Sequence, residues 1–379
     1  MAAKKSEPAF ESVPPRENPA FEGHAAAEAE LAENLHSARP AHAWLITGPK
    51  GIGKATLAFR AARSILAKGA TTAQSPAHLL AQAPGLFGDA LAETTRPFDM
   101  DLEETTFRLV ATGAHGGLIT LEREESDRGG LKRDISVGQV RRLIPFFGST
   151  AAGGAWRVAI IDSADELNRN AANALLKSLE EPPTNALILL VSSAPGRLLP
   201  TIRSRCRILK LRPMEDDVLA PLLADRLPDW PSADRLALAQ LAENSPGRAL
   251  GLADEGGLNL YREMVGLLDQ AALDVPGLHS LGDRLARRNN EGAYRVLTGL
   301  LLQWLERLIR SGASQIALVE SVPGETALRT RFLAAQSLDD WVQVWEKSAR
   351  LVADAESVNL DRKQVIINLF ASIHRAAFV

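Results

Sequence analysis

Gly48-Pro49-Lys50-Gly51-Ile52-Gly53-Lys54 has the spacing of a loop that grips phosphate. Glycines let the backbone curl so that successive N–H groups face an anion, and a helix opening directly behind them adds a favourable partial charge. Lys54 would reach the outer phosphates. The full pattern continues with Ser or Thr, whose hydroxyl ligates Mg²⁺. Here Ala55 occupies that place. Thr56 comes one residue late, roughly 100° further round a helix.

Asp162 closes the apolar run Val158-Ala159-Ile160-Ile161 and suits the acid that approaches Mg²⁺ at a strand end; the plain alternative is a helix N-cap. The glutamate that would polarise an attacking water belongs immediately after it, and that place holds Ser163. Asp165 and Glu166 lie further along the helix and are not assumed to substitute. Ala55 and Ser163 together point to weak or absent hydrolysis. The third charged group is Arg205, in Thr201-Ile202-Arg203-Ser204-Arg205-Cys206-Arg207. A guanidinium projected from a turn stabilises charge developing on a transferred phosphoryl group, often in a neighbouring subunit's site. The plain alternative is a solvated arginine-rich turn.

These groups need strands and helices to hold them. His42 to Thr47 reads as a short strand before the glycine loop, and Leu57, Ala61 and Ile65 mark one face of the helix behind it. Gly117 to Glu122 reads as another strand. Ile135 to Ile144 follows as a helix with Val137, Val140, Ile144 and Phe147 inward. After Asp162, Leu167, Ala171, Leu175 and Leu179 recur every four residues along a helix that Pro182 and Pro183 end. Ala186 to Val191 is a second buried strand, leading to Ser192 and Ser193.

The remainder divides by texture. Residues 1–20 read as a mobile tail and His24 to His36 as a helix. Residues 69–114 lack periodicity and read as an insertion or irregular region. From Asp216 only helices are expected, with a turn at Gly256-Gly257. The last third carries stripes through Leu297, Leu301, Trp304 and Leu308, and through Trp341 and Trp345, as a helical bundle does.

At 379 residues the chain exceeds one ordinary core. Its 43 basic and 46 acidic residues nearly balance, so any contact with nucleic acid must be local. The single cysteine, Cys206, excludes an internal disulfide and a multi-thiolate zinc site, and fits a reducing compartment. No signal-like terminus and no run of about 18 apolar residues is present, so the expected location is cytoplasmic, without membrane contact.

Gly48 to Lys54, Asp162, Leu175-Leu176-Lys177-Ser178-Leu179-Glu180-Glu181-Pro182-Pro183 and Ser204-Arg205-Cys206 stand in one order. In that order the chain resembles bacterial clamp-loader subunits of the AAA+ class, most nearly the delta prime family of DNA polymerase III. Asn18-Pro19, Gly23-His24, His42 to Ile46 and Ser245-Pro246-Gly247-Arg248 extend the likeness, which covers residues 16–251 well and the rest only by helical character.

The resemblance implies a P-loop-type α/β domain with a parallel sheet over residues 21–213, a small helical lid over 214–256 and an all-α collar over 257–379. It places an arginine finger at Arg205, acting in trans, a sensor-1 region at Ser192 and Ser193, and a sensor-2 arginine at Arg248. Gly48, Gly51, Gly53, Lys54, Asp162, Ser192 and Arg248 would then form a degenerate nucleotide site, open to ATP or ADP without efficient hydrolysis. The implied partners are the delta and tau/gamma subunits, the sliding clamp and primed DNA, the DNA being met through its phosphates. The chain would be a component of the DNA-directed DNA polymerase III holoenzyme, with neither polymerase nor ATPase activity of its own. Many members carry a cysteine-ligated zinc module after the first helix; residues 69–114 hold no cysteine, so zinc is not expected. Two alternatives are an active motor subunit, with Thr56 or water replacing the missing ligand, and a phosphotransferase for a small substrate.

Overall fold

The computed structural model describes residues 13–37, 39–71, 96–125, 132–148, 155–314, 319–358 and 360–378. The expectations for residues 1–12 of the tail and 72–95 of the insertion lie outside these. The chain divides into two compact units, Val13–Val218 and Leu219–Val379.

The first unit is built on five parallel strands: β1 (Ala43–Thr47), β2 (Leu118–Leu121), β3 (Arg157–Ile161), β4 (Ala186–Ser192) and β5 (Arg207–Lys210). Their order is β2-β3-β4-β1-β5. β1 and β4 are buried along their whole length and β3 over all but its first residue, which is why they read as unbroken apolar runs. One face of the sheet presents Leu45, Ala159, Ile161, Ile188 and Leu190 to the helix Arg169–Glu180, whose Ala171, Leu175 and Leu179 are buried with them. The alternate residues, among them Ile46, Val158 and Leu189, face the other way. The helices there are α1 (Ala25–Leu35) and α2 (Lys54–Thr71), the latter packing on β1, β3 and β4. This is the parallel α/β class that the resemblance implied.

Two helical expectations shift. The run from Ile135 breaks into Val137–Arg141 and Leu143–Gly148. The break resets the helical phase, so Leu143 is buried while Ile144 is 54% exposed, against the inward position expected for it. Leu167 likewise precedes its helix. Asn168 caps that helix by accepting from Ala171 N at 2.9 Å, and Leu167 is packed against the core from the turn before it.

The segment read as tail is held from its described start. Arg63 donates to Arg16 O at 3.1 Å and Asn18 O at 2.9 Å, and Arg60 donates to Pro19 O. Arg60 also pairs with Glu28 at 2.8 Å and Asp99 at 2.6 Å. Both arginines are buried, and Arg63 lies over the Phe107 ring at 4.4 Å. Within the insertion, Thr105–Ala111 is a helix with Phe107 and Val110 buried.

The described residues of the second unit are helical throughout, from Pro246–Asp254 and Gly257–Leu268 to Leu338–Val358 and Arg362–Phe378. Gly256 turns at φ +67° just before Gly257–Leu268. The Phe332 ring meets Trp304 edge-on at 5.3 Å and stacks on Trp341 at 5.4 Å, a core anchored by the Trp341 indole donating to Phe332 O at 3.1 Å. The expected stripe holds at Trp341, which is fully buried, while Trp345 is half-buried. Among the described residues, no helix is long and apolar enough to cross a membrane.

Candidate functional site

The register of the sheet brings the chemical groups to one edge. β1 pairs with β4 so that Thr47 stands beside Ser192, and β3 with β4 so that Ile161 stands beside Leu190. The glycine loop, Asp162 and Ser192-Ser193 therefore all leave the carboxyl ends of adjacent strands, where α/β sheets bind ligands.

The loop needs its glycines. Gly48, Gly51 and Gly53 have φ of +150°, +79° and +99°. A Cβ on Gly48 would come within 2.5 Å of Leu211 O, and one on Gly53 within 3.0 Å of the Phe21 ring. α2 opens at Lys54, so its N-terminus lies behind the loop.

Lys54 is 5% exposed and folded back on its own chain. Its ammonium donates to Gly48 O at 2.9 Å, Pro49 O at 2.6 Å and Ser193 Oγ at 2.9 Å. Burial lowers its pKa to about 8, opposed by the nearby carboxylates of Asp162 and Asp165. Asp162 is pushed the other way: burial and the Glu122 charge raise its pKa, against the pull of Lys54 and the Ser163 N–H. Ser163 itself sits at φ +61°, the left-handed region that a non-glycine residue enters with strain. Beyond Asp162 opens a cleft of about 530 Å³ lined by Glu122, Arg123, Gln139, Arg142 and Glu166 among others. Arg123 is paired with Glu166 there at 2.8 Å.

The contacts at this edge single out two residues. Ser192 is fully buried and its hydroxyl has no partner among the described residues, whereas Ser193 is the serine that meets Lys54. Asp165, which sequence reasoning set aside, accepts from Ser193 N at 3.0 Å and so ties the turn after β3 to the end of β4. Only the strand register decides this, and the sequence signal was no more than a serine pair and a nearby acid. Thr56 is buried in α2, and Ala55 has no donor atom to offer. Among the described residues, the position directly after Lys54 therefore offers no hydroxyl to a Mg²⁺ ion.

Arg205 lies apart from that edge. It follows the short helix Pro200–Arg203, donates to Thr201 O at 2.9 Å and pairs with Glu180 at 2.7 Å, with its side chain 36% exposed. Cys206 beside it is buried in the core and its thiol pKa is pushed up to about 12 by burial.

Arg248 belongs to the second unit, on the helix Pro246–Asp254. Its guanidinium donates to Gln303 Oε1 and pairs with Glu243 at 3.5 Å, while burial lowers its pKa. Gln303 in turn donates to Leu241 O at 3.0 Å. Within that unit Arg248 thus joins two helices.

Residues 90–215 match the family model described as DNA polymerase III, delta subunit. The chain is 38% identical over 220 residues to the DNA polymerase III subunit delta' of Pseudomonas aeruginosa, covering 58% of each chain. With the subunit delta' of Escherichia coli K12 it shares 34% over 234 residues, or 61% of this chain and 66% of that one. The match thus spans about three-fifths of these relatives' own lengths. The Escherichia coli tau subunit is 28% identical over 305 residues, 76% of this chain and 42% of its own. Among solved structures, the RuvB Holliday junction branch migration motor of Thermotoga maritima aligns over 86% of this chain and 94% of its own, at 14% identity and a TM-score of 0.39.

Proposed function

We propose that this chain, a relative of the DNA polymerase III delta prime subunits, is a non-hydrolysing clamp-loader subunit that lends Arg205 to the nucleotide site of a neighbouring ATPase subunit. The observation that carries the reading is Lys54. Its three N–H hydrogens go to Gly48 O, Pro49 O and Ser193 Oγ, and Ala55 stands where a metal-binding hydroxyl belongs. A loop satisfied from within has little need of a ligand, and one lacking a metal ligand has little means of hydrolysis. The intact glycine curvature still leaves ATP or ADP a cradle of backbone N–H groups, so occupancy without turnover is part of the proposal.

Arg205 has the opposite character. It is 36% exposed on the turn that enters β5, at the amino end of the strands, whereas the glycine loop leaves the carboxyl end of β1, so its chemistry is directed outward. A guanidinium brought to another subunit's triphosphate stabilises the charge that develops in phosphoryl transfer. The helices from Asp216 to Asp254 would act as a lid, with Arg248 as its sensor arginine, and those from Gly257 onward as the oligomerising collar. In the assembly the delta and tau/gamma subunits would be the protein partners. The sliding clamp and the phosphates of primed DNA would be what the ring handles, in the cytoplasm.

The test is ATP turnover by the purified chain alone and after addition of tau/gamma and delta subunits, each with Arg205 and with Arg205→Ala. The expected result is no turnover alone and a fall of about 10³-fold or more in the neighbour's contribution when Arg205 is lost. Turnover by the isolated chain, abolished by Lys54→Ala, would establish a motor subunit instead.

A further inference from the structure

We propose that Glu180 is the positioning residue for Arg205, fixing the direction in which its guanidinium is presented to a neighbouring subunit; the proposal rests on the reading of Arg205 as a residue that acts in trans. The Arg205 fork is held at both tips. Nη1 donates to Thr201 O at 2.9 Å, within its own turn, and Nη2 reaches Glu180 Oε1 at 2.7 Å. Glu180 is the last residue of the helix Arg169–Glu180, so the two anchors belong to different elements.

Both elements are rigidly seated. Leu175 and Leu179 bury the helix in the sheet's core, and Ile202 and Cys206 bury the turn in the same cluster. Pro182 and Pro183 follow, so the helix cannot run on and carry its end elsewhere. Two bonds from two fixed bodies set both the place and the plane of a guanidinium, where one bond would leave it free to swing about its long stem. Of its five N–H donors, the rest remain for an incoming anion.

Stability does not account for the pair. The two side chains are 36% and 46% exposed, and an ion pair so exposed adds little to folding. The same exposure puts the guanidinium where another chain can meet it, already oriented. Orienting a catalytic arginine before docking removes rotamer freedom that would otherwise be lost during the reaction.

The experiment assembles the full chain with delta and tau/gamma subunits and measures ATP turnover, with sliding clamp and primed DNA present, as separate kcat and KM. The variants are Glu180→Ala, Glu180→Gln, Arg205→Ala and the double Glu180→Ala/Arg205→Ala, each shown by thermal unfolding to be as stable as the parent. Glu180→Ala should lower kcat about five- to twenty-fold with KM for ATP unchanged, because the finger then occupies its working geometry only part of the time. Glu180→Gln, which keeps an acceptor but not the charge, should recover part of the loss. In the Arg205→Ala background Glu180→Ala should do nothing further. A kcat for Glu180→Ala at or above the parent's, with Arg205→Ala impaired, overturns the positioning role. An equal fall in both backgrounds also overturns it, since Glu180 would then act without Arg205. Unimpaired turnover by Arg205→Ala removes the reading of Arg205 itself, and this proposal with it.

Discussion

Replacing Lys54 with Met separates a lysine kept for a ligand from one kept for the fold. The methionine retains most of the buried stem and removes three donated hydrogen bonds, to Gly48 O, Pro49 O and Ser193 Oγ. The serine hydroxyl can rotate to another partner, so two carbonyls are left short, at about 1–3 kcal/mol each. Against this, the variant no longer buries an ammonium. With the pKa lowered to about 8 from a free value near 10.4, that charge opposes folding by about 3 kcal/mol at neutral pH. The two effects largely offset each other at pH 7, leaving a net change between a gain of about 1 kcal/mol and a loss of about 3 kcal/mol.

The pH dependence of the Lys54→Met comparison is sharper. Between about pH 8 and 10.4 the unfolded chain holds the Lys54 proton and the folded chain releases it, so the parent gains stability as pH rises. The methionine variant lacks that gain. Urea unfolding of both proteins from pH 7 to 9.5 should therefore show the parent pulling ahead of the variant by about 1–2 kcal/mol over that interval. A gap that stays constant with pH would refute the buried, self-satisfied lysine. Equal stability at every pH, with nucleotide binding lost only in the variant, would show instead that Lys54 is held for a ligand.

Gly48→Ala should lower stability by about 1–3 kcal/mol, since its Cβ would meet Leu211 O at 2.5 Å at a φ of +150°; thermal unfolding reads it. Glu325→Ala should destabilise the helical unit by about 3–5 kcal/mol in urea unfolding. The Glu325 carboxylate is fully buried and accepts from Tyr261 at 2.8 Å, Arg329 at 2.9 Å and Ser321 N at 2.8 Å, so its loss removes the acceptor that three buried donors share. Cys206, buried with its thiol pushed up to about 12, should resist a disulfide reagent at pH 8 in the native protein and react at once in denaturant; labelling at equal rates in both would contradict its packing.

What the sequence exposes and what it hides follow from where each residue's partners lie along the chain. β1, β3 and β4 were legible because a parallel strand buried on both faces must be apolar throughout, a demand written in consecutive residues. The glycine loop was legible for a similar reason, since its positive φ angles restrict residue type one position at a time. Arg60 and Arg63 show the opposite case: nothing local marks two arginines three apart on a helix as buried, yet Glu28, Asp99 and the carbonyls of residues 16–19 allow both to be buried. Those acceptors come from three separate stretches of chain, and no local pattern announces them. Ile144 was misplaced because the helix breaks at Arg142, which turns Leu143 inward and Ile144 out while Phe147 still reaches the core. The site divides along the same line. Asp162 follows from its strand alone, while the choice of Ser193 over Ser192 and the use of Asp165 depend on how β3 and β4 lie side by side. Residues fixed by their own backbone angles can be read in order; residues fixed by partners distant along the chain must be found in space, and Glu180 beside Arg205 is of that second kind.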